Sequence, residues 1–151
     1  MLNSFFAGVV RCVGAEGGYV SKFEGDGALC VFGAPIPQDD HAERALRAAR
    51  ALRLELRSLS ESIDAAIGIS SGHVVAGNIG AANRYEYTII GDAVNEASRL
   101  CDEAKNRHTR VLAGERTLDR CGSEAANWGH SGNIHLRGRA RPTVAFEPGL
   151  I

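Results

Sequence analysis

The stretch YEYTIIGDAVNEASRL, Tyr85 to Leu100, changes its hydrophobic period in the middle. Tyr85 to Ile90 is rich in aromatic and β-branched residues and reads as a strand. It runs into Gly91-Asp92, where Asp92 caps a helix that carries Val94, Ala97, Cys101 and Ala104 inward. Asn95 and Arg99 stand four apart, so both leave this helix together on a face away from the apolar set. A strand that turns straight into an amphipathic helix is the fragment from which the rest of the chain is read.

Toward the N-terminus, Ala65, Ile67 and Ile69 alternate, Ser71-Gly72 makes a turn, and His73 to Ala76 continues into Gly77-Asn78-Ile79-Gly80, which predicts a hairpin. Before it, Asp39 or Asp40 caps a long helix with Ala42, Ala45, Leu46, Ala49, Leu52, Leu56 and Leu59 on one face. Arg44, Arg47, Arg50, Arg53 and Arg57 spread over the rest of it, and read as a solvated face rather than an anion patch. Pro35 and Pro37 separate that helix from two strands, Tyr19 to Phe23 and Ala28 to Phe32, joined by the turn Glu24-Gly25-Asp26-Gly27. Leu2, Phe5, Phe6, Val9, Val10 and Val13 recur at helical spacing, so the chain opens with an amphipathic helix.

Toward the C-terminus, Arg110 to Ala113 is a short strand and Glu115 to Cys121 a short helix. Asn133 to Phe146 forms a hairpin turning at Gly138 to Pro142. The order of elements predicts an α+β fold, a split βαβ sandwich.

A length of 151 residues fits one domain, residues 1–151. Hydrophobic residues at 44% and charged residues at 23% exclude disorder, collagen and coiled coil. With 17 Lys plus Arg against 18 Asp plus Glu, a net charge of -1 leaves no field to attract nucleic acid or an anionic membrane. The four cysteines, Cys12, Cys30, Cys101 and Cys121, form no C-x-x-C pair and read as reduced, structural thiols. The five histidines show no zinc spacing. No run approaches the roughly 20 apolar residues of a membrane span, and the apolar start has no basic leader. These features predict a cytoplasmic chain, or a cytoplasmic piece of something larger.

Asp26 lies between two glycines at a hairpin tip, where the backbone approaches a phosphate or a metal closely; a plain turn and a Mg²⁺ ligand are both open readings. Strand alternation places residues 22, 24 and 26 on one side, with Lys22 either a solvated strand lysine or a partner of that site. Asn95 and Arg99 offer a neutral donor beside a planar cationic fork, suited to a sugar oxygen and a developing phosphoryl charge, or simply to surface capping.

Three strings, VSKFEGDGALCVFGAP (Val20 to Pro35), IGISSGHVVAGNIG (Ile67 to Gly80) and YEYTIIGDAVNEASRL (Tyr85 to Leu100), together resemble the catalytic domain of the class III nucleotide cyclases, most of all the bacterial adenylate cyclases. The resemblance runs from the first helix to about Phe146. It implies a ferredoxin-like split βαβ core with additional strands, used as a head-to-tail homodimer with two sites between subunits. The implied reaction turns ATP into 3′,5′-cyclic AMP and pyrophosphate with Mg²⁺ or Mn²⁺. Carried over by position, Asp26 resembles a metal-binding aspartate, Lys22 and Thr88 the purine-selecting pair, Asn95 the ribose-positioning residue and Arg99 the transition-state arginine. Arg137, in LRGRA, matches the residue that holds the terminal phosphates, with Arg139 the weaker match.

The sequence departs from the family at one place. The family's first metal aspartate lies in a strand of the form F-x-D-x-x-G-[FS]-[ST] before the first helix, whereas this sequence starts with Met1 at that helix. Neither Glu16 nor Glu24 falls where that carboxylate belongs. The resemblance therefore implies an N-terminally truncated cyclase fold. It also leaves a rival reading, an inactive cyclase-like module for nucleotide binding or regulatory dimerisation.

Overall fold

The structure, a computed structural model, describes residues 2–25, 27–59, 65–79 and 86–149. In chain order the elements are α1 (Leu2–Ala15), β1 (Tyr19–Glu24), β2 (Gly27–Val31), α2 (His41–Leu59), β3 (Ile67–Ile69), β4 (Val75–Ile79) and β5 (Glu86–Ile90). They continue with α3 (Asp92–Ala104), β6 (Val111–Gly114), α4 (Glu115–Arg120), a 3-10 turn (Ser123–Asn127), β7 (Trp128–Ile134) and β8 (Thr143–Pro148).

The apolar stripe of α1 buries Val9 and Val13 against Leu52 and Leu56 of α2. Under this helix pair lies the antiparallel hairpin β1–β2, which contributes Val20, Ala28 and Cys30. The second sheet runs β3-β6-β8-β7, with β3 and β6 parallel and the other pairs antiparallel. One of its faces takes Leu46 and Ala49 of α2 against Ile69, Val111, Ala113 and Trp128. The opposite face takes Leu100 and Ala104 of α3 against Leu112, Ile134 and Ala145. Strand β6 is therefore buried at all of its residues, as expected of a strand covered on both sides. The mixed α+β architecture is the one the element order predicts.

Four local expectations are corrected. The segment after Ser71-Gly72 does not fold back on β3: β3 pairs with β6, and β4 pairs instead with β5, Val75 opposite Ile90 and Gly77 opposite Thr88. Alternation marks a strand but carries no information about its neighbour. Second, Asp92 is the first residue of α3 rather than its cap; Gly91 stands at the cap position without a side-chain bond. Third, the buried set of α3 is Ala93, Glu96, Leu100 and Ala104, because the helix packs on both β3 and β6. Gly68 makes that approach possible: a Cβ there would lie 2.2 Å from the Ala97 carbonyl oxygen. Fourth, β7 begins at Trp128, not at Asn133.

The arginines of α2 are more committed than a solvated face implies. Arg44 holds Asp40 at 2.7 Å, Arg47 holds Glu16 at 3.0 Å, and Arg50 reaches Glu124 at 2.9 Å. None of the four cysteines is in a disulfide, and burial pushes the Cys30 thiol up to about 11, which keeps it protonated at neutral pH. No helix of the described residues is long and apolar enough to cross a membrane.

Candidate active site

Two regions carry the candidate side chains. The first is the β1–β2 hairpin. Its ladder has an irregularity between Val20 and Lys22, so that Val20 pairs with Cys30 and Lys22 with Leu29. This β-bulge resets the alternation. Val20 packs on the α1–α2 cluster, and Phe23 meets Phe6 of α1 edge-on at 4.8 Å, so positions 20 and 23 both face the helix. Lys22 and Glu24 are thereby turned to the outside, where they form an ion pair at 2.9 Å. Both side chains are more than half exposed, so that pair contributes little to stability. Strand β5, with Thr88, runs beside β1 in the same chain. The Thr88 side chain and the whole of Asp26 lie outside the described residues.

The second region is the meeting of α3 with the loop between β7 and β8. Helix α3 presents two pairs of residues four apart on adjacent faces. Asp92 and Glu96 form the acidic pair. Asp92 takes Arg139 at 2.8 Å and Arg116 at 3.4 Å; Glu96 takes Arg139 at 3.1 Å and the Ser70 hydroxyl at 2.6 Å. Chiefly through the hydrogen bond from Arg139, the Asp92 carboxyl is held below the usual carboxylate range. Asn95 and Arg99 form the other pair. Asn95 is exposed, and the half-buried Arg99 guanidinium lies over Gly138, where an added Cβ would be 3.2 Å from Nη2. Gly138 has a φ of 79, a conformation that disfavours any side chain. Arg137, its neighbour in the chain, is exposed.

Commitment separates these cations. Arg139 and Arg116 are engaged by carboxylates, whereas among the described residues the side chains of Asn95, Arg99 and Arg137 have no hydrogen-bond or ion-pair partner. The structure thus brings Arg99 to the chain segment of Arg137, and pairs Arg139 with two carboxylates of α3. Glu96 and its partners were missed in the sequence, where the glutamate sits on a helix otherwise read for its apolar and exposed sides. The available signal was the acidic pair Asp92 and Glu96 interleaved with Asn95 and Arg99.

Among the described residues, no group of three or more His, Cys, Asp or Glu side chains is placed to hold a metal ion. The described residues do not by themselves fit a divalent cation.

This fold and this helix place the chain in a family. The family model for the adenylate and guanylate cyclase catalytic domain matches residues 1–146, and the chain belongs to that family. It is 44% identical over 149 residues to Rv1319c, an uncharacterised protein of Mycobacterium tuberculosis strain H37Rv, covering 98% of this chain and 28% of that protein. The chain thus spans little more than a quarter of the curated relatives it matches. Among solved structures it resembles the adenylyl cyclase CyaB from P. aeruginosa, with 27% identity and a TM-score of 0.83 over 99% of this chain and 81% of that one. It likewise resembles the guanylyl cyclase Cya2, with 29% identity and a TM-score of 0.81 over 99% of this chain and 79% of the other. One neighbour is named for each purine, so likeness alone does not choose between ATP and GTP.

Proposed function

We propose that residues 1–151 act as a single catalytic domain of an adenylate cyclase, converting ATP to 3′,5′-cyclic AMP and pyrophosphate as a head-to-tail homodimer in the cytoplasm. The observation that carries this reading is the set Asn95, Arg99 and Arg137, without carboxylate partners among the described residues and beside two arginines that have them. In a phosphoryl transfer the protein mainly positions groups and stabilises charge. The ribose 3′ hydroxyl attacks the α-phosphorus and pyrophosphate leaves. Asn95 orients the ribose, Arg99 offsets charge growing on the phosphorus oxygens, and Arg137 holds the terminal phosphates. Divalent cations serve this family generally; in this reading Mg²⁺ or Mn²⁺ is bound with the help of Asp26 and further groups beyond the described residues.

The choice of ATP rests on donor and acceptor chemistry. Lysine only donates, which suits the adenine N1 acceptor, and the Thr88 hydroxyl accepts from the adenine amino group. Guanine N1 carries a hydrogen and opposes Lys22. Support for a dimer comes from the β4–β5 hairpin, where the cross-strand partners Val75 and Ile90 are 72% and 50% exposed. An apolar pair left in water next to the start of α3 fits a surface covered by a second copy.

Complementation tests the shared site. Asp26→Ala and Asn95→Ala each remove activity, since every site of either homodimer carries a lesion. In a mixed dimer with the two residues contributed by opposite chains, one site collects both lesions and the other neither. Random exchange makes half the dimers mixed, so mixing restores about a quarter of wild-type activity. Failure to regain activity with subunit exchange confirmed removes the head-to-tail model. Absence of cyclic nucleotide from the unaltered protein with both ATP and GTP removes the cyclase reading itself.

A further inference from the structure

We infer that Glu96 is a positioning residue: through Arg139 it fastens the loop between β7 and β8 to α3, and so keeps Gly138, the chain neighbour of Arg137, against Arg99. The inference rests on the cyclase reading only for what the two arginines bind. The latch itself rests on geometry. Glu96 is 4% exposed, a carboxylate on the same buried face of α3 as Ala93, Leu100 and Ala104. One carboxylate oxygen accepts from Ser70 at 2.6 Å, which anchors it to the segment after β3; the other takes Arg139 at 3.1 Å. Arg139 also reaches Asp92 one helical turn earlier, so two carboxylates of α3 grip a single loop residue. Gly114 makes room for this, since a Cβ there would lie 2.8 Å from Glu96 Oε1.

Leu136, 4% exposed, packs in the α3 cluster and holds the near side of the turn, so the far side is the one that Arg139 secures. Among the described residues the Arg137 side chain makes no hydrogen bond or ion pair, and within the turn the Arg139 N–H donates to the Leu136 carbonyl at 3.2 Å. The buried Leu136 on one side and the gripped Arg139 on the other set where Gly138 lies, and Gly138 is the surface on which the Arg99 guanidinium rests. Arg99 and the arginines of this loop repel one another unless negative charge offsets them, so the approach of the loop to Arg99 needs a hold. Glu96 supplies that hold from inside the protein, so the cations need no carboxylate of their own and stay open to a polyphosphate.

The test compares wild type, Glu96→Gln, Arg139→Lys and Arg139→Ala. The glutamine keeps the volume and the Ser70 contact but loses the charge; the lysine keeps a charge but not the two-carboxylate reach. Amide hydrogen exchange over residues 136–142 is expected to speed about tenfold in Glu96→Gln, with α2 and β6 unchanged. Affinity for inorganic tripolyphosphate, measured by calorimetry, falls several-fold, and the apparent KM for nucleotide rises more than kcat falls. Arg139→Lys recovers part of the loss seen in Arg139→Ala. Unaltered exchange in 136–142 in a folded Glu96→Gln protein overturns the latch, as does exchange that rises uniformly over the whole chain. A wild type that neither binds tripolyphosphate nor forms cyclic nucleotide sinks the cyclase reading instead, while the exchange experiment still decides the latch.

Discussion

Strand β6 is buried at every residue, whereas none of the described residues of β1 or β2 is fully buried. Strand β6 lies between two helix layers, whereas among the described residues the hairpin packs on the α1–α2 side. The ion pairs follow the same division. On the sheet side Glu124, 5% exposed, binds Arg50, the Trp128 indole N–H at 3.0 Å and Asn127 at 3.2 Å, which ties α2 to the start of β7. On the hairpin side Arg11 and Glu55 pair across α1 and α2 with the arginine mostly exposed. The candidate phosphate-side residues Asn95, Arg99 and Arg137 therefore stand on the firmly packed part, and the candidate base-side residue Lys22 on the lightly packed part. A transition state demands tight geometry around the reacting phosphorus, while base recognition by one or two hydrogen bonds tolerates a softer support.

The largest effect that would test this contrast is in the core of the sheet. Leu112 is fully buried, and Leu112→Ala is expected to cost about 3 kcal/mol in urea unfolding, a large share of what a domain of this size has. A cost below about 1 kcal/mol would break the comparison, because it would mean that the layer between α3 and β6 relaxes easily. A smaller loss is expected at the other end: Phe23 is 50% exposed and meets Phe6 edge-on, so Phe23→Ala should cost about 1 kcal/mol. Equal losses at both positions would erase the distinction.

The smallest effect is in the pH dependence, and it sharpens the sheet side. Despite the burial that opposes it, the hydrogen bonds from Arg50 and Trp128 leave the Glu124 carboxyl below its ordinary range. A folded value below the unfolded one means stability that is fully present above the ordinary carboxylate value of about 4.3 and lost as pH falls through the folded value. The gap in urea midpoint between wild type and Glu124→Gln should therefore narrow as pH drops below about 4. A constant gap across that range would show that Glu124 does not link proton binding to folding.

Much of this organisation was legible. The stripes of α1 and α2 repeat at helical spacing over long enough runs that only one face could be buried, and the Asp26-Gly27 step between two apolar runs announced the first hairpin. Asn95 and Arg99 needed only the four-residue period to be placed together. Other features were out of reach: nothing in Ile67 to Ile69 says that its partner lies at Val111 to Ala113, more than forty positions on. The bulge between Val20 and Lys22 was equally hidden, since strict alternation would have turned Lys22 to the same face as Val20.

Local order alone, then, determined the helices, the turns and the spacing of the candidate side chains, because propensity and periodicity act between residues a few positions apart. Tertiary structure decided which cations stay uncommitted. Arg137 and Arg139 are two apart in one loop and chemically alike, yet one meets Asp92 and Glu96 and the other meets no carboxylate among the described residues. That difference arises from the packing of α3 against β3 and β6, which turns Glu96 inward and brings Arg139, from a loop some forty residues later, within reach of it. Coulomb attraction at about 3 Å depends on where charges lie in space, and chain position carries no record of that.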